Sequence, residues 1–292
     1  MRRDSPARPC PQRKLLERAR VIEREDAVSA GALGFMAREL VKVGLPHREP
    51  AESSFVRRNG DLVFSIAAHP DAGLPYGRYP RLLLIWATTE AVRTKSPALQ
   101  LGPTLTGFMA QLGLIPAGGR WGTIRRLRDQ MMRLFSSTIA YTYDRQSTGE
   151  WHDTGFRVGR RTQLWWNPAN PGQPVCWRST VELSLGFFET VVDRPVPVDL
   201  RAVKALRSPL GLDIYTWLTY RMSYLRKPTE IPWDALASQL GAGYGRTRDF
   251  KEAFLRQARV VLMLYPAVRL EPRSRGLVLK PSPPHVAKPK QG

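Results

Sequence analysis

Residues 232–265 of the chain read PWDALASQLGAGYGRTRDFKEAFLRQARVVLMLY. A proline at the first position and a glycine after the last predict a short helix over Pro232–Leu240 that stops at Gly241. A longer helix is predicted from about Arg246 to Tyr265, because apolar residues recur there at helical spacing and Pro266 ends the pattern. Two helices joined by a glycine-rich turn are typical of a helix-turn-helix unit.

The segments on both sides of this stretch complete a larger unit. Pro209–Leu225 predicts a first helix with one apolar side. The residues of that side are Leu210, Ile214, Trp217, Leu218 and Met222. After the long helix, Val268–Leu270 and Leu277–Leu279 flank an arginine-rich turn and predict a β-hairpin. Three helices followed by such a hairpin predict a winged-helix unit.

The same order of elements is predicted once before, between about Pro80 and Trp166. Trp86 of the earlier first helix corresponds to Trp217 of the later one, and Leu112-Gly113 corresponds to Leu240-Gly241 at the turn. Such internal similarity indicates a duplicated unit. We therefore expect an α+β, mainly helical fold made of tandem winged-helix domains.

Four divisions of the chain follow from these elements. We expect an amphipathic N-terminal arm over residues 1–45, and a first winged-helix domain over 46–193 that serves DNA contact, dimerisation or both. A second, DNA-binding winged-helix domain is expected over 194–284, and a disordered basic tail over 285–292. The stiff segment Arg194–Pro197 marks the boundary between the two domains. The arm either touches a partner or packs on the first domain, and the sequence leaves both possibilities open.

The charge balance is strongly basic. The chain has 45 Lys plus Arg against 25 Asp plus Glu, a net charge of +20 and a pI near 10.7. Such a surplus predicts a polyanionic partner, because cations that neutralise phosphates release condensed counterions. Nucleic acid is the partner that we expect; a ribosomal-type RNA binder and charge that serves only solubility are the alternatives.

The cysteine content and the lack of long apolar runs indicate the cellular compartment. Only Cys10 and Cys176 are present, which gives no disulfide framework and fits a reducing compartment. The first residues lack the apolar core of a signal peptide, and no apolar run is long enough to span a membrane. We therefore expect a cytoplasmic protein without a membrane partner.

The long helix of each unit presents a basic face. In the first unit, Arg125, Arg126 and Arg133 fall opposite the apolar side of the helix that follows Thr123, and Arg120 precedes it. Arginine pairs with guanine edges or holds phosphates, so this face is a candidate DNA contact, with Arg120 better placed for the backbone. An ordinary solvated face is the alternative.

The second unit repeats this design. Its candidate DNA-binding residues are Arg246, Arg248, Lys251, Arg256 and Arg259 on the long helix, and Arg273 and Arg275 at the tip of the hairpin. The hairpin arginines are expected to contact the minor groove or phosphates. Acidic residues between the basic ones, such as Glu252, are expected to pair with arginine along the helix.

Signatures of catalysis are absent from the sequence. It has no phosphate-binding loop of the G-x-x-x-x-G-K-[ST] type, its four histidines are scattered, and no Cys or His cluster has zinc spacing. We therefore expect no enzyme activity, no cofactor and no metal. A rolling-circle nickase that uses Tyr141 or Tyr143 is the enzymatic alternative. Trp165-Trp166 either stacks on exposed bases or packs in a sheet.

Several stretches resemble the plasmid-encoded RepA-type replication initiators. They are SPLGLDIYTWLTYRMSYL (208–225), IPW (231–233), KPSPPHV (280–286), GLPYG (73–77), WATTEAVRT (86–94) and GGRWGT (118–123). The resemblance spans about residues 47–286 and is weak over residues 1–45.

This resemblance implies a protein that binds repeated sequences (iterons) at a plasmid origin, promotes opening of the adjacent DNA, and recruits the host replicative helicase and the host initiator. It also implies tandem winged-helix domains, a possible homodimer and frequent repression of the protein's own promoter. A winged-helix transcriptional regulator without initiator activity is the main alternative, because it would use the same DNA contacts.

Overall fold

The computed structural model describes residues 11–145, 148–164, 179–241 and 243–286, and within them the fold is α+β, as predicted. The helices are α1 Pro11–Arg24, α2 Arg38–Lys42, α3 Arg78–Thr94, α4 Leu105–Gln111, α5 Thr123–Ser136, α6 Leu185–Val192, α7 Leu200–Ala205, α8 Pro209–Met222, α9 Trp233–Leu240 and α10 Thr247–Leu264. The strands are β1 Leu33–Met36, β2 Ser54–Asn59, β3 Leu62–Ala67, β4 Ala98–Gln100, β5 Thr138–Arg145, β6 Glu150–Arg157, β7 Gly159–Gln163, β8 Thr180–Leu183, β9 Val196–Asp199, β10 Thr229–Pro232, β11 Arg269–Pro272 and β12 Gly276–Lys280.

The second unit runs from α8 to β12 and contains the predicted helices and hairpin. Its sheet has three antiparallel strands in the order β10-β12-β11. Strand β10 was not predicted from the sequence, because four residues that end in a proline carry little strand signal. It pairs with β12 through Thr229↔Leu279 and Pro232↔Gly276 and so ties the start of α9 to the hairpin.

Local signals explain where α8 begins and how it packs. The Ser208 side chain accepts a hydrogen bond from the amide of Gly211 at 3.3 Å, and Pro209 occupies the first turn. Inside the unit, Trp217 of α8 meets Phe254 of α10 edge to face, with ring centres 6.4 Å apart. This buried contact holds α10 against α8.

The first unit repeats the order of elements: α3, β4, α4, α5, then β7 and β8. Its three strands are arranged β4-β8-β7, which matches β10-β12-β11 position by position. Thr104 caps α4 by accepting a hydrogen bond from the Gly107 amide at 3.0 Å. Helix α3 begins at Arg78, two residues before the proline at which we expected it to start.

A separate four-stranded sheet, called the inserted sheet, combines β2 and β3, which precede α3 in the chain, with β5 and β6, which lie between α5 and β7. Its order is β2-β3-β5-β6, and the Asn59-Gly60 turn joins its first two strands, with Gly60 at φ +57°. Strand β5 pairs with β3, so the hairpin directly after α5 does not form the sheet of the first unit. The prediction that the unit ends near Trp166 is therefore wrong, because its last strand is β8.

Residues 11–45 pack on the rest of the chain. Helix α1 contacts α7 and α10, and β1 pairs with β9 through Leu33↔Asp199 and Met36↔Val196. The segment after Arg194, expected as a stiff connector, is therefore a strand. At the other end, Val286 is buried, and the His285 ring lies 4.6 Å from that of Tyr265. These two residues, assigned to the tail by the sequence, are packed, and the rest of the expected tail (287–292) lies outside the described residues.

Some expectations concern parts of the chain that the structure does not describe. The Trp165-Trp166 pair, the loop over 167–172, Cys176 and Cys10 all lie outside the described residues. Within the described ranges, no helix is long and apolar enough to cross a membrane.

Candidate nucleic-acid interface

The outer face of α10 carries exposed arginines of the second unit. Arg248, Arg256 and Arg259 are exposed along one side of the helix, while Phe250 and Phe254 are buried on the other. Arg248 is 86% exposed and its Nε lies 3.3 Å from the carboxylate of Glu252, the intrahelical pair that the sequence predicted. Among the described residues, Arg256 and Arg259 have no ion-pair or hydrogen-bond partner, so both guanidinium groups are free for a ligand.

The turn before α10 is shaped by contacts on both sides. Gly243 has φ +88°, a conformation that favours glycine, and the Tyr244 ring packs edge to face on Phe250 at 5.7 Å. The Thr247 hydroxyl donates a hydrogen bond to the Asp234 carboxylate at 2.6 Å, which joins the first turn of α10 to the first turn of α9. Arg246 is exposed at the start of α10, next to free backbone amides that favour phosphate.

The tip of the β11–β12 hairpin is fixed against α9 and α10. The indole N–H of Trp233 donates to the carbonyl oxygen of Arg273 at 3.0 Å, and the Lys251 ammonium donates to the same oxygen at 3.2 Å. The ammonium also lies 5.0 Å from the centre of the Trp233 ring. Lys251, expected to contact DNA, is thus half-buried and holds the hairpin. Arg275 at the tip is exposed, whereas Arg273 pairs with Glu230 at 3.6 Å and Glu271 at 3.5 Å.

In the first unit, α5 presents Arg125 and Arg126 to solvent, as the helical wheel predicted. Arg133 differs, because it is only 21% exposed and its Nη2 lies 2.6 Å from the Glu49 carboxylate. Its Nη1 donates to the Leu74 carbonyl oxygen at 3.2 Å, and its guanidinium lies 5.2 Å from the centre of the Tyr76 ring. The segments before α3 cover this end of α5, which a helical wheel alone does not reveal.

A basic groove runs beside α5. We call it the α5 groove; its volume is about 560 Å³. It is lined by His47, Glu49, Tyr76, Gly77, Arg78, Tyr79, Arg120, Trp121, Arg125, Arg126, Asp129, Gln130 and Arg133. At its edge the Trp121 ring is 74% exposed, and the Arg120 guanidinium lies 5.3 Å from the ring centre. The groove thus combines five arginines with a stacking surface.

The sequence prediction missed three arginines near α5 that line a second cavity. Arg128 is exposed on α5 and, with Arg157 and Arg160, lines a cavity of about 410 Å³ between α5 and the first-unit sheet. Arg160 also pairs with Glu182 of β8 at 2.9 Å. The helical spacing could have identified Arg128, which lies between Arg125 and Met132. The other two could not be identified, because their position depends on sheet pairing.

The tyrosines proposed for a nickase are poorly placed for nucleophilic attack. Tyr141 is 4% exposed, and its hydroxyl has no hydrogen-bond partner within the described ranges. The Tyr143 hydroxyl donates to Glu39 at 2.7 Å, and burial together with that carboxylate raises the pKa of the phenol. Over residues 11–145, 148–164, 179–241 and 243–286, no His, Cys, Asp and Glu side chains form a group that could hold a metal ion.

Two solved structures resemble this chain in fold over most of its length, including both units. A crystal structure of RctB domains 2–3 (RctB 155–483) matches with a TM-score of 0.53 and 15% identity, covering 82% of this chain and 96% of that chain. A structure of selenomethionine derivatives of RctB domains 2 and 3 matches with a TM-score of 0.54 and 13% identity, covering 82% and 94%. At such low identity the likeness shows the fold. The chain matches no curated protein.

The sequence match to a family is more direct. Residues 74–235 match the RepA_C family, described as plasmid encoded RepA protein, and this is more than half of the 292 residues. The matched range begins at the Gly73–Gly77 loop, contains α3 to α8 and ends in α9. The chain therefore belongs to the family of plasmid-encoded RepA proteins.

Proposed function

We propose that the protein is a plasmid replication initiator that binds repeated sites in duplex DNA at the plasmid origin. One observation carries the proposal. The same unit occurs twice, with strand orders β4-β8-β7 and β10-β12-β11, and in each unit a long basic helix, α5 or α10, exposes arginine. We interpret both units as winged-helix domains, and the net charge of +20 and the RepA family membership support this interpretation.

In the second unit, α10 is proposed to enter the major groove. Arg248, Arg256 and Arg259 would reach base edges, where arginine pairs bidentately with guanine. The amides at the start of α10 and the Arg246 guanidinium would hold phosphates. The hairpin tip would follow the neighbouring backbone with Arg275, and the contacts of Trp233 and Lys251 keep the tip in place for this.

In the first unit, α5 is proposed to contact a second stretch of the same duplex. Arg125, Arg126 and Arg128 would face the DNA, with Arg120 and Trp121 at the start of the helix. The segment that covers Arg133 would line the side of this contact. The first unit is also the candidate surface for homodimerisation. As an initiator, the protein would act in the cytoplasm, open the origin and recruit the host helicase and host initiator.

We further propose that the protein acts without catalysis. The buried Tyr141 hydroxyl and the Glu39-bound Tyr143 hydroxyl support this, since neither is free to attack a phosphodiester. A direct assay is incubation with supercoiled origin DNA and Mg²⁺ or Mn²⁺. Intact supercoils are expected, and a nick that depends on either tyrosine would reverse this part of the proposal.

Two experiments test the initiator function. DNase footprinting on DNA that flanks the gene should show several evenly spaced protected repeats, whereas a single protected palindrome would indicate a transcriptional regulator. A plasmid with that DNA as its sole origin should replicate when the protein is supplied in trans. The matched control origin has scrambled repeats of equal length and composition. Replication of both plasmids, or of neither in any plausible host, would contradict the proposal.

A further inference from the structure

A largely buried ion cluster joins the two units. Arg81 of α3 is 2% exposed and forms a forked pair with Asp213 of α8, with Nε to Oδ1 at 2.6 Å and Nη2 to Oδ2 at 2.7 Å. The Nε2 of His47 lies 2.8 Å from the same Oδ2. Because Arg81 belongs to the first unit and Asp213 to the second, this pair is a direct link between them.

The remaining N–H groups of the Arg81 guanidinium also donate hydrogen bonds. It donates to the carbonyl oxygens of Leu45 at 2.7 Å, Pro46 at 3.2 Å and Gly77 at 2.6 Å. Together with the two bonds to Asp213, these contacts occupy every N–H that a guanidinium possesses. A planar fork with all its donors engaged permits only one orientation of Asp213, and therefore of α8, relative to α3.

The two linked helices are those that support the DNA-facing helices. Helix α5 packs on α3, and α10 packs on α8. The cluster also reaches the turn before α10, since the His47 and Tyr244 rings meet edge to face at 6.2 Å. A second link runs beside it, where the Gln239 side chain of α9 donates to the Lys42 carbonyl oxygen at 2.7 Å. The relative position of α5 and α10 is thus set through buried contacts.

We propose that the cluster of Arg81, Asp213 and His47 is a spacing device, which makes one molecule accept a single number of base pairs between the sequences that α5 and α10 contact. These three residues do not touch DNA in this proposal; they are positioning residues that determine site specificity. The inference rests on the proposed function, because it requires both units to bind one duplex. It adds the residues that fix their separation on the DNA.

The test is a series of duplexes in which the two half-sites of one footprint are moved apart or together by single base pairs. Binding is measured by fluorescence anisotropy at one salt concentration. For the wild type, a shift of one or two base pairs should weaken binding by about tenfold or more, the effect expected when one of the two helices can no longer reach its bases. The Asp213→Asn protein should bind the duplex of native spacing more weakly than the wild type does. Its affinities for duplexes of different spacing (the spacing profile) should lie within about threefold of one another.

A matched control separates positioning from stability. Phe156→Leu removes packing from the inserted sheet, where Phe156 contacts the Tyr141 ring at 5.9 Å, away from the contact of α3 with α8. It should lower the melting temperature and leave the spacing profile sharp. A folded Asp213→Asn protein with a profile as sharp as that of the wild type would overturn the inference.

Two further measurements cover the case in which Asp213→Asn does not fold. Arg81→Lys keeps the charge but loses the fork and should show the same flattened profile. Spin labels at Arg126→Cys and Arg256→Cys, with Cys10 and Cys176 replaced by serine, should give one narrow distance in the otherwise wild-type protein. A broad distance distribution overturns the spacing device. A wild type that protects no two-part site overturns the proposed function itself, whereas a two-part site that tolerates every spacing overturns only this inference.

Discussion

The indole N–H of Trp233 and the carbonyl oxygen of Arg273 are joined by a hydrogen bond of 3.0 Å, which fastens the hairpin tip to the start of α9. Trp233→Phe keeps an aromatic ring next to Phe254, but it removes the N–H donor together with part of the buried indole. The variant should lose more stability than the about 0.5–1.5 kcal/mol that such a bond is usually worth, because buried ring volume is lost as well. The amide of Arg273 should exchange its hydrogen faster, as measured by NMR. Trp151→Phe, an exposed ring on β6, is the control, and unchanged exchange at Arg273 would contradict the proposed role of this bond.

Arg256 and Arg259 are the two free guanidinium groups on the outer face of α10. Replacing both by alanine should remove specific binding, at about 1–3 kcal/mol for each base that arginine no longer reaches, while the melting temperature stays unchanged. Affinity is measured by anisotropy on the footprinted repeat and on a scrambled duplex. Arg13→Ala with Arg93→Ala removes equal charge from α1 and α3 and should affect both duplexes alike. Equal reductions in affinity for the two double variants would refute base contact by α10.

The hairpin tip is expected to bind phosphate without reading sequence. Arg273→Ala with Arg275→Ala should weaken specific and scrambled duplexes by similar factors. It should also reduce the slope of log K against log salt by about 0.9 for each phosphate that is no longer neutralised. Arg275 should account for most of the change, because Arg273 already pairs with Glu230 and Glu271. A salt slope equal to that of the wild type would exclude the tip from the interface.

Stability should decline as the pH falls from 7 towards 5. Burial lowers the pKa of His47 and of His285, so both take up protons less readily in the folded protein than in the unfolded chain, where they do so near pH 6.5. The stability that the two neutral histidines contribute to the folded protein is complete above pH 6.5 and is lost progressively below it. Burial alone would raise the pKa of Asp213, but the charge of Arg81 together with the hydrogen bonds from His47 and Arg81 lowers it on balance, so this carboxylate contributes only to losses of stability below about pH 4.

Thermal melting across this range tests the histidine effect. His47→Gln should flatten the dependence, whereas His152→Gln, a change at an exposed histidine, should not. A wild-type melting temperature that stays constant between pH 7 and 5 would show that the buried rings do not govern it.

The sequence predicted the local features well. The apolar spacing of α10 and the glycine-rich turn before it are encoded within a few residues, and both formed as expected. The exposed positions of Arg125 and Arg256 follow from helical geometry alone. For the same reason Arg128 could have been found.

Long-range features were not accessible in this way. Arg133 lies on the predicted outer face of α5, yet Glu49 and Tyr76 reach it from segments far away in the chain. Arg81 and Asp213 are 132 positions apart, and no periodicity links them. The order of strands in the first-unit sheet likewise depends on β8, which follows an inserted hairpin.

The pairing of β1 with β9 has a consequence for synthesis of the chain. Residues 33–36 leave the ribosome about 160 residues before their partner strand, Val196–Asp199. At ordinary translation rates the first strand waits on the order of ten seconds or more for its neighbour. During that interval its backbone groups are unpaired, so the N-terminal segment is a nascent-chain region that chaperones can engage. The N-terminal strand consequently reaches its paired state only after residues 196–199 have been synthesised.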